Sequence, residues 1–174
     1  MKTYIADTNI IIGIVNALKP NQGQMQNKNI MALAKLVEQR KIRLMITPAV
    51  YNELKAGEAK DGGAAMDFVQ NYCYYHYLND NEERTANQLT IGYMTGENSA
   101  IAQRSGKKTN YIDARVLAEA TITYNTGKLR IAKFITRNVK DFDNLSQIEY
   151  IDKAFNLKSI PINSNQTNNV EKEL

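Results

Sequence analysis

Tyr4-Ile5-Ala6-Asp7-Thr8-Asn9-Ile10-Ile11-Ile12 is the stretch that decides the fold. A short apolar run close behind Met1 reads as a buried strand. An acid, a hydroxyl and an amide interrupt it, and a second apolar run follows. Thr8 and Asn9 are good helix N-caps, so the second run reads as a helix starting near Ile10. Asp7 then stands at the carboxyl end of a first strand, where open α/β sheets bind their ligands. A charge there is costly to desolvate unless a cation or several donors meet it. The alternative is that Asp7 only caps the helix, and on this segment alone the two readings stand level.

Working outward, strand and helix patterns alternate. Lys19 to Asn29 holds Pro, Gly, Asn and Gln and reads as a loop. Ile30 to Gln39 carries Ile30, Leu33, Ala34 and Val37 on one helical face. Ile42 to Ile46 is a second strand, and Thr47-Pro48 starts a helix that ends at Gly57. Asp61-Gly62-Gly63 is a turn, Ala64 to Asn71 a short helix, and Cys73 to Leu78 a tyrosine-rich third strand. Glu82 to Arg104 has helical spacing broken near Gly96, and Asn110 to Tyr124 is a helix capped by Asn110. Lys133 to Thr136 gives a fourth strand and Glu149-Tyr150-Ile151 a fifth. The alternation predicts an α/β fold: a three-layer α/β/α sandwich on a mostly parallel sheet of four to five strands. Residues 1–162 read as one domain, and residues 163–174 as a polar C-terminal tail that frays.

The 174 residues suffice for one domain with a real core. The longest apolar run, Ile10 to Val15, is too short to span a bilayer, and no signal-peptide layout precedes the first strand. A single cysteine, Cys73, excludes an internal disulfide framework and fits a reducing cytoplasm. The only histidine, His76, has no second His or Cys partner for a zinc site and reads as structural. Charge is uneven along the chain. Residues 1–60 carry nine Lys/Arg against four acids, residues 101–162 eleven against six, and residues 61–100 one against six. Two basic regions around an acidic segment point to a polyanion partner more than to a membrane.

Three further acids fall where they can converge with Asp7. Glu53 follows the second strand, at the edge of the Val50–Leu54 stripe. Asp113 lies in the first turn of its helix, where the helix dipole favours an ionised carboxylate. Asp141 follows the fourth strand. Taken singly, Glu53 suits solvent, Asp113 a cap and Asp141 a turn. Together with Asp7 they make an oxygen-rich set of the kind that selects Mg²⁺ or Mn²⁺. Such ions drive in-line displacement at a phosphodiester without a histidine base. Arg104, Lys107 and Lys108 precede Asp113, and Arg137 and Lys140 flank the last motif. These are the candidate phosphate grips.

The motifs Asp7-Thr8-Asn9, Thr47 to Leu54 with Gly57, Asp113-Ala114, and Thr136-Arg137-Asn138-Val139-Lys140-Asp141-Phe142 together resemble the PIN-domain nucleases. The likeness is nearest to VapC-type toxins of bacterial toxin–antitoxin pairs, and spans about residues 1–150. It implies a Mg²⁺- or Mn²⁺-dependent endoribonuclease acting on RNA, usually dimeric and inhibited by a small antitoxin protein. By motif position Asp7, Glu53, Asp113 and Asp141 would be the metal-holding catalytic acids, with Thr136 and Asn138 orienting ligands or water. Asp141, not Asp143, matches the family's acid before Phe. Many relatives carry an acid where Asn138 stands, and the stretches Asp80 to Asn110 and Lys19 to Asn29 are long for the smallest members.

Other readings fit less well. An aspartyl-nucleophile phosphatase wants a second acid at Asn9; no Gly-x-Gly-x-x-Gly, Walker-type or Gly-x-Ser-x-Gly motif occurs. The non-enzyme alternative is an inactive PIN-like RNA-binding or interaction module. Tyr72 to Tyr77 and the region Asp80 to Gly106 offer surface for a homodimer.

Overall fold

A computed structural model of the chain describes residues 1–19, 28–96, 107–125, 131–137, 154–156 and 164–174. In chain order the described elements are β1 (Lys2–Ala6), α1 (Thr8–Leu18), α2 (Lys28–Glu38), β2 (Ile42–Ile46) and α3 (Pro48–Ala56). After them come α4 (Glu58–Asp61), α5 (Ala64–Tyr72), β3 (Cys73–Tyr75), α6 (Asp80–Thr95) and α7 (Lys107–Asn125). The chain closes with β4 (Ile131–Thr136), β5 (Ala154–Asn156) and α8 (Gln166–Glu173).

Five strands form one sheet in the order β3-β2-β1-β4-β5, and every described pairing is parallel. Ile5 pairs with Met45 on one side and Phe134 on the other. Helices cover both faces, giving the expected three-layer α/β/α fold: α1 packs on α2 and α5, and α7 packs on α6 and α3. Double coverage explains why Thr3 through Ala6 are all buried instead of alternating. Tyr4, Ile5, Leu44, Ile46, Phe134 and Ile135 fill the sheet's part of the core. Full burial of one such side chain contributes about 1.5–3 kcal/mol.

Strand order reverses between β1 and β4, since β2 and β3 lie on one side of β1 and β4 and β5 on the other. A crevice opens at such a switch point outside the carboxyl ends of the strands. Asp7 follows β1 and Thr136 ends β4, so both stand at that crevice.

Several boundaries differ from the sequence reading, each for a local reason. Helix α1 begins at Thr8 and its N-cap is Asp7, whose side chain accepts from the Thr8 amide. Helix α6 begins at Asp80, because Asn79 and Glu82 close a reciprocal capping box before it. Helix α7 starts at Lys107, a turn ahead of Asn110, so Asn110 is not its cap. Strand β3 stops at Tyr75, and only the His76 amide continues the ladder, donating to Ile46 O at 3.3 Å. Glu149-Tyr150-Ile151 lies outside the described residues, and the fifth strand is Ala154–Asn156.

The expected fraying tail is instead the helix α8, packed on α2. Val170 and Leu174, four residues apart, are both buried in the core cluster. Leu174 O accepts from the Tyr4 hydroxyl at 2.7 Å, and Lys133 Nζ donates to Glu173 O at 2.8 Å. Two apolar anchors on one face hold an otherwise polar helix to the domain. No helix among the described residues is long and apolar enough to cross a membrane.

Candidate active site at the reversal of strand order

Asp7 is the centre of a closed set of donors. Its Oδ1 accepts from the Thr8 amide at 2.7 Å. Its Oδ2 accepts from Asn9 Nδ2 at 2.5 Å and from the Thr136 hydroxyl at 2.8 Å. Asn9 Oδ1 in turn accepts the Arg137 amide at 3.0 Å, so one amide side chain joins the end of β1 to the end of β4. Asp7 is both helix cap and a buried acid at the crevice, so the cap does not exclude the other reading of the opening stretch.

Burial pushes the Asp7 carboxyl from its usual 3.8 up to about 6. The Thr136 and Thr8 hydrogen bonds pull it back, while the negative charges of Asp113 and Glu53 raise it further. Glu53 and Asp113 therefore both lie within electrostatic reach of Asp7. Glu53, on the exposed side of α3, is fixed by a short hydrogen bond from the Thr8 hydroxyl to its Oε2. Asp113 is half-buried in α7.

The donor set suits a hard cation in kind, since every donor is oxygen. Among the described residues Asp7 Oδ1 accepts one hydrogen bond, and a carboxylate oxygen has two lone pairs, which suits it to a metal as well. Among the described residues, however, no three His, Cys, Asp or Glu side chains are gathered closely enough to hold an ion by themselves. Asp7, Glu53 and Asp113 would be the ligands these residues supply, and the predicted fourth, Asp141, lies outside the described residues together with Asn138, Lys140 and Arg104. Lys107 and Lys108 open α7, with side chains outside the described set.

Thr136, expected to help orient ligands or water, ends β4, and its hydroxyl donates to Asp7 Oδ2. Arg137 is half-buried and its guanidinium lies against α1: a Cβ added at Gly13 would meet its Nη1 at 3.2 Å. Gly13 lies one turn beyond Asn9 on the same helix face, so the Arg137 side chain runs past α1.

The sequence reading overlooked a second polar cluster beside Glu53. Arg115 in α7 donates from Nε to Glu119 Oε1, from Nη2 to Glu83 Oε1 and from Nη1 to Asn87 Oδ1, each at 2.6 Å. The other oxygen of Glu119 accepts the Ala49 amide at 2.7 Å, near the start of α3. Glu119 is 1% exposed, and its pairing with Arg115 ties α3, α6 and α7 together. Those hydrogen bonds and carboxylates hold the Arg115 guanidinium above its usual pKa although burial opposes it. The signal was present: Glu119 stands alone in Val116-Leu117-Ala118-Glu119-Ala120, four residues after an arginine. Above the cluster a groove of about 540 Å³ opens, lined in part by Asn52, Glu53, Asn87 and Tyr111.

His76 and Cys73 take no part in this site. His76 is buried, with Nε2 3.8 Å from Glu82 Oε2. Burial pushes the Cys73 thiol up to about 12. Cys73 is therefore expected to react with iodoacetamide at pH 8 more than ten times slower than a free thiol of pKa ~8.5. A mass-spectrometric time course checks this, and equal rates would contradict the desolvation of the half-buried thiol.

No protein-family model matches the chain, and no curated protein matches it.

Proposed function

We propose that the chain is a divalent-metal-dependent endoribonuclease of PIN type, acting in the cytoplasm as the toxin of a toxin–antitoxin pair. The observation that carries the reading is Asp7: a buried carboxylate at the reversal of strand order, with two more carboxylates close enough to raise its pKa. Such a group is ionised at neutral pH at little cost only when a cation faces it.

In this reading Thr136 and Asn9 hold Asp7 in one orientation, and the Thr8 hydroxyl holds Glu53 beside it. Asp7, Glu53, Asp113 and Asp141 hold the Mg²⁺ or Mn²⁺, with Asn138 orienting water. When bound, the metal supplies a lowered pKa for the attacking water and charge stabilisation at the leaving oxygen. The test is cleavage of a single-stranded RNA in Mg²⁺ or Mn²⁺, abolished by EDTA. Because no three described acids close around an ion, the alternative is an inactive PIN-like RNA-binding module. RNA retained on the protein and left intact in both metals selects that alternative.

Lys107 and Lys108, with Arg104, Arg137 and Lys140, hold the RNA phosphates in this reading. Lys107→Ala with Lys108→Ala is expected to weaken RNA binding about tenfold at low salt. It should also reduce the slope of log affinity against log salt by roughly 1.4, at about 0.7 per single-strand phosphate contact. Fluorescence anisotropy in EDTA reads both; an unchanged slope removes these lysines from the interface.

A homodimer fits the exposed apolar side chains of this half of the chain, Tyr74 at 49%, Tyr77 at 79% and Ile91 at 62%. Light scattering at micromolar concentration should give twice the chain mass, and Tyr77→Asp with Ile91→Asp should give the monomer. A monomeric wild type would overturn the dimer.

A further inference from the structure

The groove beside Glu53 has walls that recognise something other than phosphate. We propose that it takes one unpaired nucleobase of the RNA, next to the phosphate held at Asp7. The proposal rests on the nuclease reading and adds which part of the substrate is selected.

The groove lies between α3, α6 and α7, and its volume of about 540 Å³ falls in the range of small-molecule sites. Pro48, Ala49, Ala56 and Ile112 give it apolar walls. Tyr111, 49% exposed, stands at its edge and offers a ring on which a base can stack. Two amides supply hydrogen-bonding edges. Asn87 Oδ1 is committed to Arg115, so its amide nitrogen is the donor Asn87 has left to offer. Asn52, exposed on α3, offers both a donor and an acceptor.

Charge narrows the occupant. Glu53 and Glu83 border the groove and Glu119 lies beneath it, which repels a phosphate. Three of the five N–H donors of Arg115 are taken by Glu119, Glu83 and Asn87, and two carboxylates already meet its charge, which leaves it a poor clamp for a phosphate. The same pairing neutralises one charge of the Glu83 and Glu119 pair, so a cation finds less attraction than three acids imply. A planar neutral heterocycle with a polar edge satisfies all the walls. The Arg115 cluster bonds three helices together and so holds the groove open before the base arrives.

Uncharged nucleosides separate this proposal from the nuclease reading, because their binding needs neither metal nor cleavage. Adenosine, guanosine, cytidine and uridine are titrated against the full chain in EDTA by saturation-transfer NMR, with free arginine as the cationic probe. One nucleoside is expected to bind at least fivefold better than the poorest. Tyr111→Ala should weaken it about tenfold, as expected for loss of one base–aromatic stack, and Tyr111→Phe should retain it. Asn87→Asp, which replaces a donor with an acceptor, should change which nucleoside is preferred. No nucleoside binding, or binding unaffected by Tyr111→Ala, overturns the proposal. Arginine bound more tightly than every nucleoside overturns it in favour of a cationic peptide. Nucleoside binding without RNA cleavage in Mg²⁺ or Mn²⁺ upholds the base site and removes the nuclease reading alone.

Discussion

Asp7→Asn is expected to lower RNA cleavage by about 100-fold or more while leaving the protein folded. Outer-shell partners of metal ligands alone account for roughly 10–100-fold in affinity or activity, and a direct ligand sets a floor at the upper end of that range. Stability moves little because two effects oppose. The folded-state pKa of Asp7 lies about two units above its usual value, so ionising it at neutral pH costs the metal-free protein about 3 kcal/mol. Asparagine removes that cost. It also presents an amide donor to a site built of donors, the Thr8 amide on one oxygen and Asn9 and Thr136 on the other. One facing pair of donors costs about 1–3 kcal/mol. The net change in the metal-free protein is expected to stay within about 2 kcal/mol of zero. The pH dependence has a definite sign. An acid whose pKa is raised by folding stabilises the folded state fully below its unfolded value, and this contribution is lost as pH rises through its folded value. Metal-free wild type should therefore lose stability between about pH 4 and pH 6, and Asp7→Asn should lack that fall. Full cleavage activity in Asp7→Asn would falsify the mechanism, whatever the melting curves show.

What was legible in the sequence followed from how each element is built. Ile42–Ile46 is a β-rich run closed by Thr47-Pro48, and both strand and following helix stand where the residues put them. Parallel order was legible because helical segments separate successive strands, and it placed Asp7 and Thr136 on one edge. The tail was misread because polarity was averaged over it. Val170 and Leu174 contribute little to composition, yet at helical spacing they suffice to dock α8. Asp7, Glu53 and Asp113 were picked out by position after a strand or at an expected helix start, and Thr136 by the family resemblance; α7 in fact begins at Lys107, more than a turn before Asp113. Asn9 was taken for a cap, because nothing local says that its amide reaches the end of β4, more than a hundred residues away in the chain. Arg137 was assigned to phosphate because it flanks the last motif; that its side chain also passes Gly13 of α1 could not be read from that motif.

The Arg115 cluster carries the largest stability effect. Arg115→Met keeps the aliphatic volume of the side chain but strips the cation from Glu119, which is 1% exposed and would retain, among the described residues, the Ala49 amide. Removing one partner of a buried ion pair costs about 3–5 kcal/mol, because the other charge remains desolvated. For a chain of 174 residues that corresponds to a fall in melting temperature of roughly 6–20 °C, at about 2–4 °C per kcal/mol. Glu83 loses the same cation, but with 49% of its side chain exposed it is rehydrated at small cost. Arg115→Met combined with Glu119→Leu removes both buried charges and leaves one unmet amide at Ala49, a residual cost of about 1–3 kcal/mol. The double variant is thus expected to be more stable than Arg115→Met alone, a sign that independent contributions cannot produce. Urea denaturation of the wild type, both single variants and the double variant checks it. A double variant less stable than either single would mean that packing across α3, α6 and α7, and not the charge pair, holds this side of the groove.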